Sequence, residues 1–243
     1  MLILLPPSET KRSGGVGVSI DRAAIIWAAL DPARDQLIQK LAELSLDESL
    51  ARSALGLGKK SSKDLELNLK LMTAPTMPAL QRYNGVLYQA LDFDSLSNAA
   101  LKRANEKLFI QSALFGLLPA MEQIPNYRFS ASAKLPGVNL REVWLGAHKA
   151  VWPRLVGEIL DMRSNEYQLM NPIPADRLAY SVEVFSEDGK ALNHFNKRAK
   201  GLFTRAALES GLTAVDDIPG IAEGAGLRAS VEGQTVKLFT PAT

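Results

Sequence analysis

The sequence predicts an α/β fold: one domain over residues 1–243, with a mixed sheet flanked by helices. Three observations carry this. Segments with helical spacing alternate with short apolar runs through the first two thirds, and hairpin signals crowd the end. A 47% hydrophobic composition in 243 residues also supplies enough apolar surface for one large core.

The elements follow in order. Leu2-Ile3-Leu4-Leu5 is an apolar run stopped by Pro6-Pro7 and reads as a buried strand, after which Gly14-Gly15-Val16-Gly17 reads as a mobile loop. Asp31-Pro32 is a helix-start signal. Leu37, Ile38, Leu41, Leu44 and Leu50 then recur near helical spacing, giving one amphipathic helix over residues 34–52. Gly56 and Gly58 interrupt it before a second helix begins near Ser62, so a helix–hairpin–helix element is expected at about residues 35–72. Pro75 and Pro78 break the next stretch, and Tyr83-Asn84-Gly85 marks a turn ahead of the apolar VLYQAL. Residues 108–118 carry no acid or base and suit a buried strand leading into a loop. Residues 141–160 read as a helix kinked at Pro153, whose ring removes a backbone donor, and ILDMRSNEY reads as a buried strand with a polar end. LAYSVEVF and ALNHF flank Asp188-Gly189, and LRASVE and TVKLF flank Gly233-Gln234. Both are antiparallel hairpin signals.

Composition removes several functions. The net charge of +2 is too small to mark a nucleic-acid protein, so any such role must come from local clusters of Lys and Arg. With no cysteine there is no disulfide, thiolate metal site or thiol nucleophile. His148 and His194 lack metal-ligand spacing, so no metal and no cofactor is expected, and His148 instead falls between Trp144 and Trp152 at i−4 and i+4, an aromatic packing role. No Walker, GxGxxG or GxSxG string occurs. The first apolar run is too short for a signal or a span, which makes a cytoplasmic protein the expectation.

Three constellations can carry chemistry. Apolar runs end in Ser8-Glu9-Thr10-Lys11-Arg12, in Asn126-Tyr127-Arg128 and in Ser164-Asn165-Glu166-Tyr167. These are either the polar loops every strand needs or the walls of one cleft beyond the strand ends. In the second case Lys11, Arg12 and Arg128 hold an anion, and Glu9 or Glu166 acts as a general base. In Leu55-Gly56-Leu57-Gly58-Lys59-Lys60, the glycines allow close backbone approach and the next helix offers amides to a phosphate, although a glycine pair also ends ordinary helices. Finally, NKRAKGLFTR holds four cations and no acid. On a helix, Lys197, Arg198, Lys200 and Arg205 share one side, opposite Ala199, Leu202, Phe203 and Ala206.

MLILLPPSETK, RYNGVLYQAL, SALFGLLPAMEQIPNYR, SNEY and NKRAKGLFTR occur in the order and spacing of the blocks that mark the YaaA family of peroxide stress proteins, and nearly the whole chain resembles that family. The resemblance implies an α/β fold peculiar to the family, with a helix–hairpin–helix element and a basic cleft for double-stranded DNA of any sequence. It also implies protection against hydrogen peroxide by limiting free iron. The helix–hairpin–helix corresponds to residues 55–60, and the family's first-strand lysine falls nearest Lys11. Here Pro-Ser-Glu-Thr-Lys replaces the family's Pro-Ala-Lys-Thr, and the arginine that commonly precedes Pro119 is absent, while Pro125, Tyr127 and Arg128 remain.

Two readings follow. As a sequence-neutral DNA binder, the protein holds backbone phosphates with Gly56, Gly58, Lys59, Lys60 and Lys63, and extends the track through Lys197, Arg198, Lys200 and Arg205. As an enzyme of unassigned reaction, it gathers Lys11, Glu9, Tyr83, Arg128, Asn165 and Glu166 around a nucleobase-like or phosphorylated small molecule.

Overall fold

Strand β1, Leu2–Leu5, has all four side chains buried, which a strand achieves only when both faces of its sheet are covered. The computed structural model describes residues 1–21, 25–58, 62–187 and 196–241. After β1 the chain crosses a short edge strand, β2 (Gly17–Ser19), so part of the expected glycine loop is extended sheet. Helix α1 (Asp31–Ser45) starts on Pro32, where the missing N–H costs nothing. It does not run on to Arg52. The chain breaks at Leu46, and α2 (Glu48–Ala54) begins afresh because the Asp47 carboxylate accepts the Leu50 N–H and caps the new helix. The segment continues with α3 (Ser62–Leu69), β3 (Pro75–Pro78), α4 (Ala79–Arg82), α5 (Val86–Leu91) and α6 (Asn98–Lys107).

The apolar run over 108–118 is two strands rather than one. Strand β4 (Leu108–Ser112) turns at Gly116, in the left-handed region at φ 74°, into antiparallel β5 (Gly116–Pro119). A side chain at Gly116 would collide with Trp144 and Leu30. Then follow β6 (Gln123–Ile124) and α7 (Leu140–His148). Pro153 kinks no helix: α7 has already ended, and Pro153 sits in a short 3-10 turn over Trp152–Arg154. The chain closes with β7 (Ile159–Asp161), α8 (Asn165–Met170), β8 (Ala179–Ser186), α9 (Asn196–Ser210), α10 (Ile218–Gly224), β9 (Arg228–Glu232) and β10 (Thr235–Thr240).

Among the described residues the main sheet has seven strands in the order β5-β4-β1-β7-β8-β10-β9. The five central strands run parallel, and β5 and β9 close the edges antiparallel. The hairpin expected about Gly233-Gln234 is present, with Glu232 opposite Thr235. The other one differs. Strand β8 is flanked by β7 and β10, both parallel, which leaves no edge for an arm returning from Asp188-Gly189, and that turn and ALNHF lie outside the described residues. A separate antiparallel sheet has the order β2-β3-β6. Buried apolar side chains form one cluster running from Leu2 to Leu238. No helix of the described residues is long and apolar enough to cross a membrane.

This topology creates a switch point. From β1 the next strand of the sheet is β4 on one side, whereas from β7, on the other side of β1, it is β8 moving away. Adjacent parallel strands whose connections leave in opposite directions open a crevice at their carboxyl ends.

Candidate functional site

The carboxyl end of β1 is held in place by its neighbours. Tyr88 Oη donates to the Pro6 carbonyl at 2.7 Å, and Ser8 Oγ donates to the Asn84 carbonyl at 2.7 Å. Gly85 lets Ser8 in, since any Cβ there would meet Ser8 Oγ. Lys11 and Tyr83 form a β-bridge, so the turn tripeptide is laid against the loop after β1. Buried Arg82 fixes that loop by donating to the carbonyls of Arg12 and Gly14, and reaches Pro75 and Ile124 as well.

Lys11 is half-buried in an aromatic cage. Its Nζ lies 4.1 Å from the centre of the Tyr127 ring and 5.5 Å from that of Tyr83, and donates to the Ser8 carbonyl at 3.2 Å. Burial, and next the Arg128 guanidinium, bring the Lys11 amine down to about 7. Tyr83 Oη and Tyr127 Oη share a 2.6 Å hydrogen bond, and Tyr127 continues to Ser112 Oγ at 2.8 Å. Burial pushes both phenols above their ordinary range, so they remain neutral donors and acceptors. Four of the five tyrosines, Tyr83, Tyr88, Tyr127 and Tyr167, are buried at this end of the sheet. On the outer side, Arg128 Nη2 donates to Glu9 Oε2 at 2.7 Å. Asn68 on α3 holds the Arg128 backbone, accepting its N–H at 2.8 Å and donating to its carbonyl at 3.1 Å.

A cavity of about 1070 Å³ opens in the β1/β7 crevice. Glu9 from the loop after β1, Asn165 and Glu166 from the start of α8, Glu183 from β8, and Lys197 and Lys200 from α9 line it. At its floor, Arg163 is bound to Asp161 through Nε and Nη2, each at 2.8 Å, and donates through Nη1 to the Asn171 carbonyl. Lys200 is buried, and its Nζ donates to the Met162 carbonyl at 3.1 Å. Burial lowers the Lys200 amine to about 8, against the opposing pull of Asp161 and Glu183. The strand ends therefore meet in two layers. Glu9, Asn165 and Glu166 face the cavity, while Lys11, Tyr83 and Arg128 stand behind the β1 wall, Tyr83 only 1% exposed.

The expected cationic side of residues 196–205 is divided. Lys197 and Arg198 are exposed, but Lys200 points into the molecule. Arg205 is spent on the carbonyls of Leu91, Asp92 and Ser95, where it closes the end of α5. The reason is packing: α9 lies between α5 and the sheet, so its buried arc runs through Lys200, Thr204 and Ala207 as well as Ala199 and Phe203. Sequence reasoning thus set Lys200 on the wrong side; it passed over Asp161 and Arg163, and named Tyr127 without giving it a role. The signal for Lys200 was Gly201: with small Gly201 and Thr204 next to it, this face is the one that crosses α5 closely.

Gly56 adopts φ 62° after α2, and Arg52 Nη2 donates to the Gly58 carbonyl at 2.9 Å. Lys59 and Lys60 lie outside the described residues, and Lys63 is exposed at the start of α3. His148 is a packing residue between Trp144 and Trp152, accepting the Leu117 N–H at Nε2, with Nδ1 on the Trp144 carbonyl at 2.9 Å. Burial drops it to about 4. His194 lies outside the described residues, among which no group of three His, Asp or Glu side chains is placed to hold a metal.

Comparison with known proteins gives a consistent family. The family model described as peroxide stress protein YaaA matches residues 1–231. A UPF0246 protein of Corynebacterium glutamicum is 40% identical over 239 residues, covering 93% of this chain and 94% of its own. One of Corynebacterium efficiens is 39% identical over 243 residues, with 95% of each covered. A third, of Streptomyces coelicolor, is 36% identical over 218 residues, 87% of this chain and 84% of the relative.

Proposed function

This chain belongs to the YaaA family of peroxide stress proteins, and from that premise we propose that it binds double-stranded DNA without sequence preference as part of the peroxide response. The observation that carries the reading is the lacing of the helix pair to the cleft wall. Asn68 on α3 holds both backbone groups of Arg128, and the Lys134 N–H donates to the Ala54 carbonyl at the end of α2. In this reading the left-handed turn at Gly56, exposed Lys63 and exposed Lys134 serve as one phosphate-binding surface built on the helix pair. The reading adds Lys59 and Lys60, which lie outside the described residues, and takes Lys197 and Arg198 as an extension of the track. Lys200 and Arg205, engaged internally, drop out of the track. Such a surface suits phosphates, which it meets with backbone amides and ammonium groups and without reading bases.

The test is a fluorescence-anisotropy titration of two unrelated duplexes. Both bind alike, and affinity falls by about 10-fold or more between roughly 50 and 200 mM salt, as release of counterions from several phosphates requires. Lys63→Glu with Lys134→Glu lowers affinity by a further factor of about 10. A flat salt response, or a double variant that binds like the parent, refutes the reading.

A further inference from the structure

The β1/β7 crevice has a charge pattern that a DNA backbone does not fit. Three carboxylates, Glu9, Glu166 and Glu183, line it together with Lys197, Lys200 and Arg163. Arg163 is neutralised by its paired bonds to Asp161, and Glu9 by its bond to Arg128. That leaves two ammonium groups facing two carboxylates across about 1070 Å³. A polyphosphate entering there meets Glu166 and Glu183 as like charges.

Lys200 is the informative residue. An ammonium has three protons to donate, and Lys200 is 7% exposed, yet among the described residues its one acceptor is the Met162 carbonyl. Among the described residues it has no carboxylate within ion-pair distance, since Asp161 is taken by Arg163. A desolvated cation with protons left over, lining a cavity at a topological switch point, is a strong docking group for an anion.

We infer that this cleft is a small-molecule site, distinct from the surface about Lys63 and Lys134 and sharing only Lys197 with the proposed DNA track, for a ligand that carries one anionic group and nearby N–H donors. The anionic group docks on Lys200, with Lys197 at the rim, and the N–H donors face Glu166 and Glu183. An amino acid and a nucleoside monophosphate share this chemistry. They differ in whether carboxylate or phosphate supplies the anion.

The experiment is calorimetric titration of the full chain at neutral pH with glutamine, adenosine monophosphate, adenosine and inorganic phosphate as probes. Glutamine or adenosine monophosphate binds with a Kd below about 1 mM, identifying carboxylate or phosphate as the anion, whereas adenosine and phosphate alone are at least about 10-fold weaker. Lys200→Met weakens the bound probe by about 10-fold or more, as loss of a bond to a charged group does. Glu183→Gln, at an exposed position on β8, weakens it by about 3-fold, and serves if Lys200→Met fails to fold. The Lys63→Glu, Lys134→Glu double variant binds the probe like the parent, so failure of the DNA reading leaves this one intact. The inference is overturned if neither glutamine nor adenosine monophosphate saturates by about 10 mM, or if the folded variants at Lys200 and Glu183 bind like the parent.

Discussion

Lys11 shows how one side chain can hold a loop and charge the fold for it. Its ammonium is stacked on Tyr127 and Tyr83, and its amine titrates at about 7 instead of its ordinary 10.5. The unfolded chain therefore binds more protons than the native one between those values, and stability must rise with pH across that window. Lys200 adds the same sign between about 8 and 10.5. The buried tyrosines act oppositely above about pH 10, because unfolding frees them to ionise. The urea midpoint should climb from about pH 7 to about pH 9, and Lys11→Met should climb less, leaving the Lys200 share. An equal climb in the variant would mean that the Lys11 ammonium keeps its water. His148 supplies the acid limb: it titrates at about 4 against an ordinary 6.5, so stability falls as pH drops through that interval.

At the scale of elements, two glycines in helices make opposite predictions. Gly201 lies where α9 crosses α5, and a Cβ there would drive into the Leu87 carbonyl. Gly146, exposed on α7, has nothing within 4 Å of where a Cβ would sit. Gly201→Ala should cost about 1–3 kcal/mol or more through forced separation of the helices, and Gly146→Ala should gain about 0.5–1 kcal/mol through chain entropy, both read from denaturant unfolding. This pair also marks what was legible in the sequence. Local signals were: Pro6-Pro7 ending β1, Gly56 opening the turn after α2, and Gly233-Gln234 joining β9 to β10. So was the Trp144, His148 and Trp152 stack, which depends only on helical spacing and proximity. Features set by distant partners were not. The inward turn of Lys200 depends on the Met162 carbonyl just after β7, 38 residues earlier, and the parallel pairing of β8 with β10 depends on strands that no dipeptide encodes. The break at Leu46 was in principle readable, because Asp47 is a good cap, but unbroken apolar spacing on both sides masked it. For the site, the convergence of strand ends was legible as a pattern. Its division into a cavity layer and a tyrosine layer was not.

For the whole molecule, β1 is the keystone. It is the first strand made, yet it pairs with β4 around Leu108 and with β7 around Ile159, so the sheet cannot close until two thirds of the chain is present. Removing residues 1–5 splits the five parallel strands and should abolish the cooperative unfolding transition in near-ultraviolet circular dichroism, rather than lower its midpoint. A truncated chain that still melts sharply would show that the two halves of the sheet stand alone. The edges complete the picture. At one end β5, with every residue buried, lies under α6, and at the other β9 carries Arg228 and Glu232, with the Arg228 guanidinium 3.9 Å from the centre of the Phe239 ring. A covered border and a charged one deny a neighbouring chain the bare ladder on which amyloid-like stacking starts, so crowded preparations of this protein should stay free of fibrils.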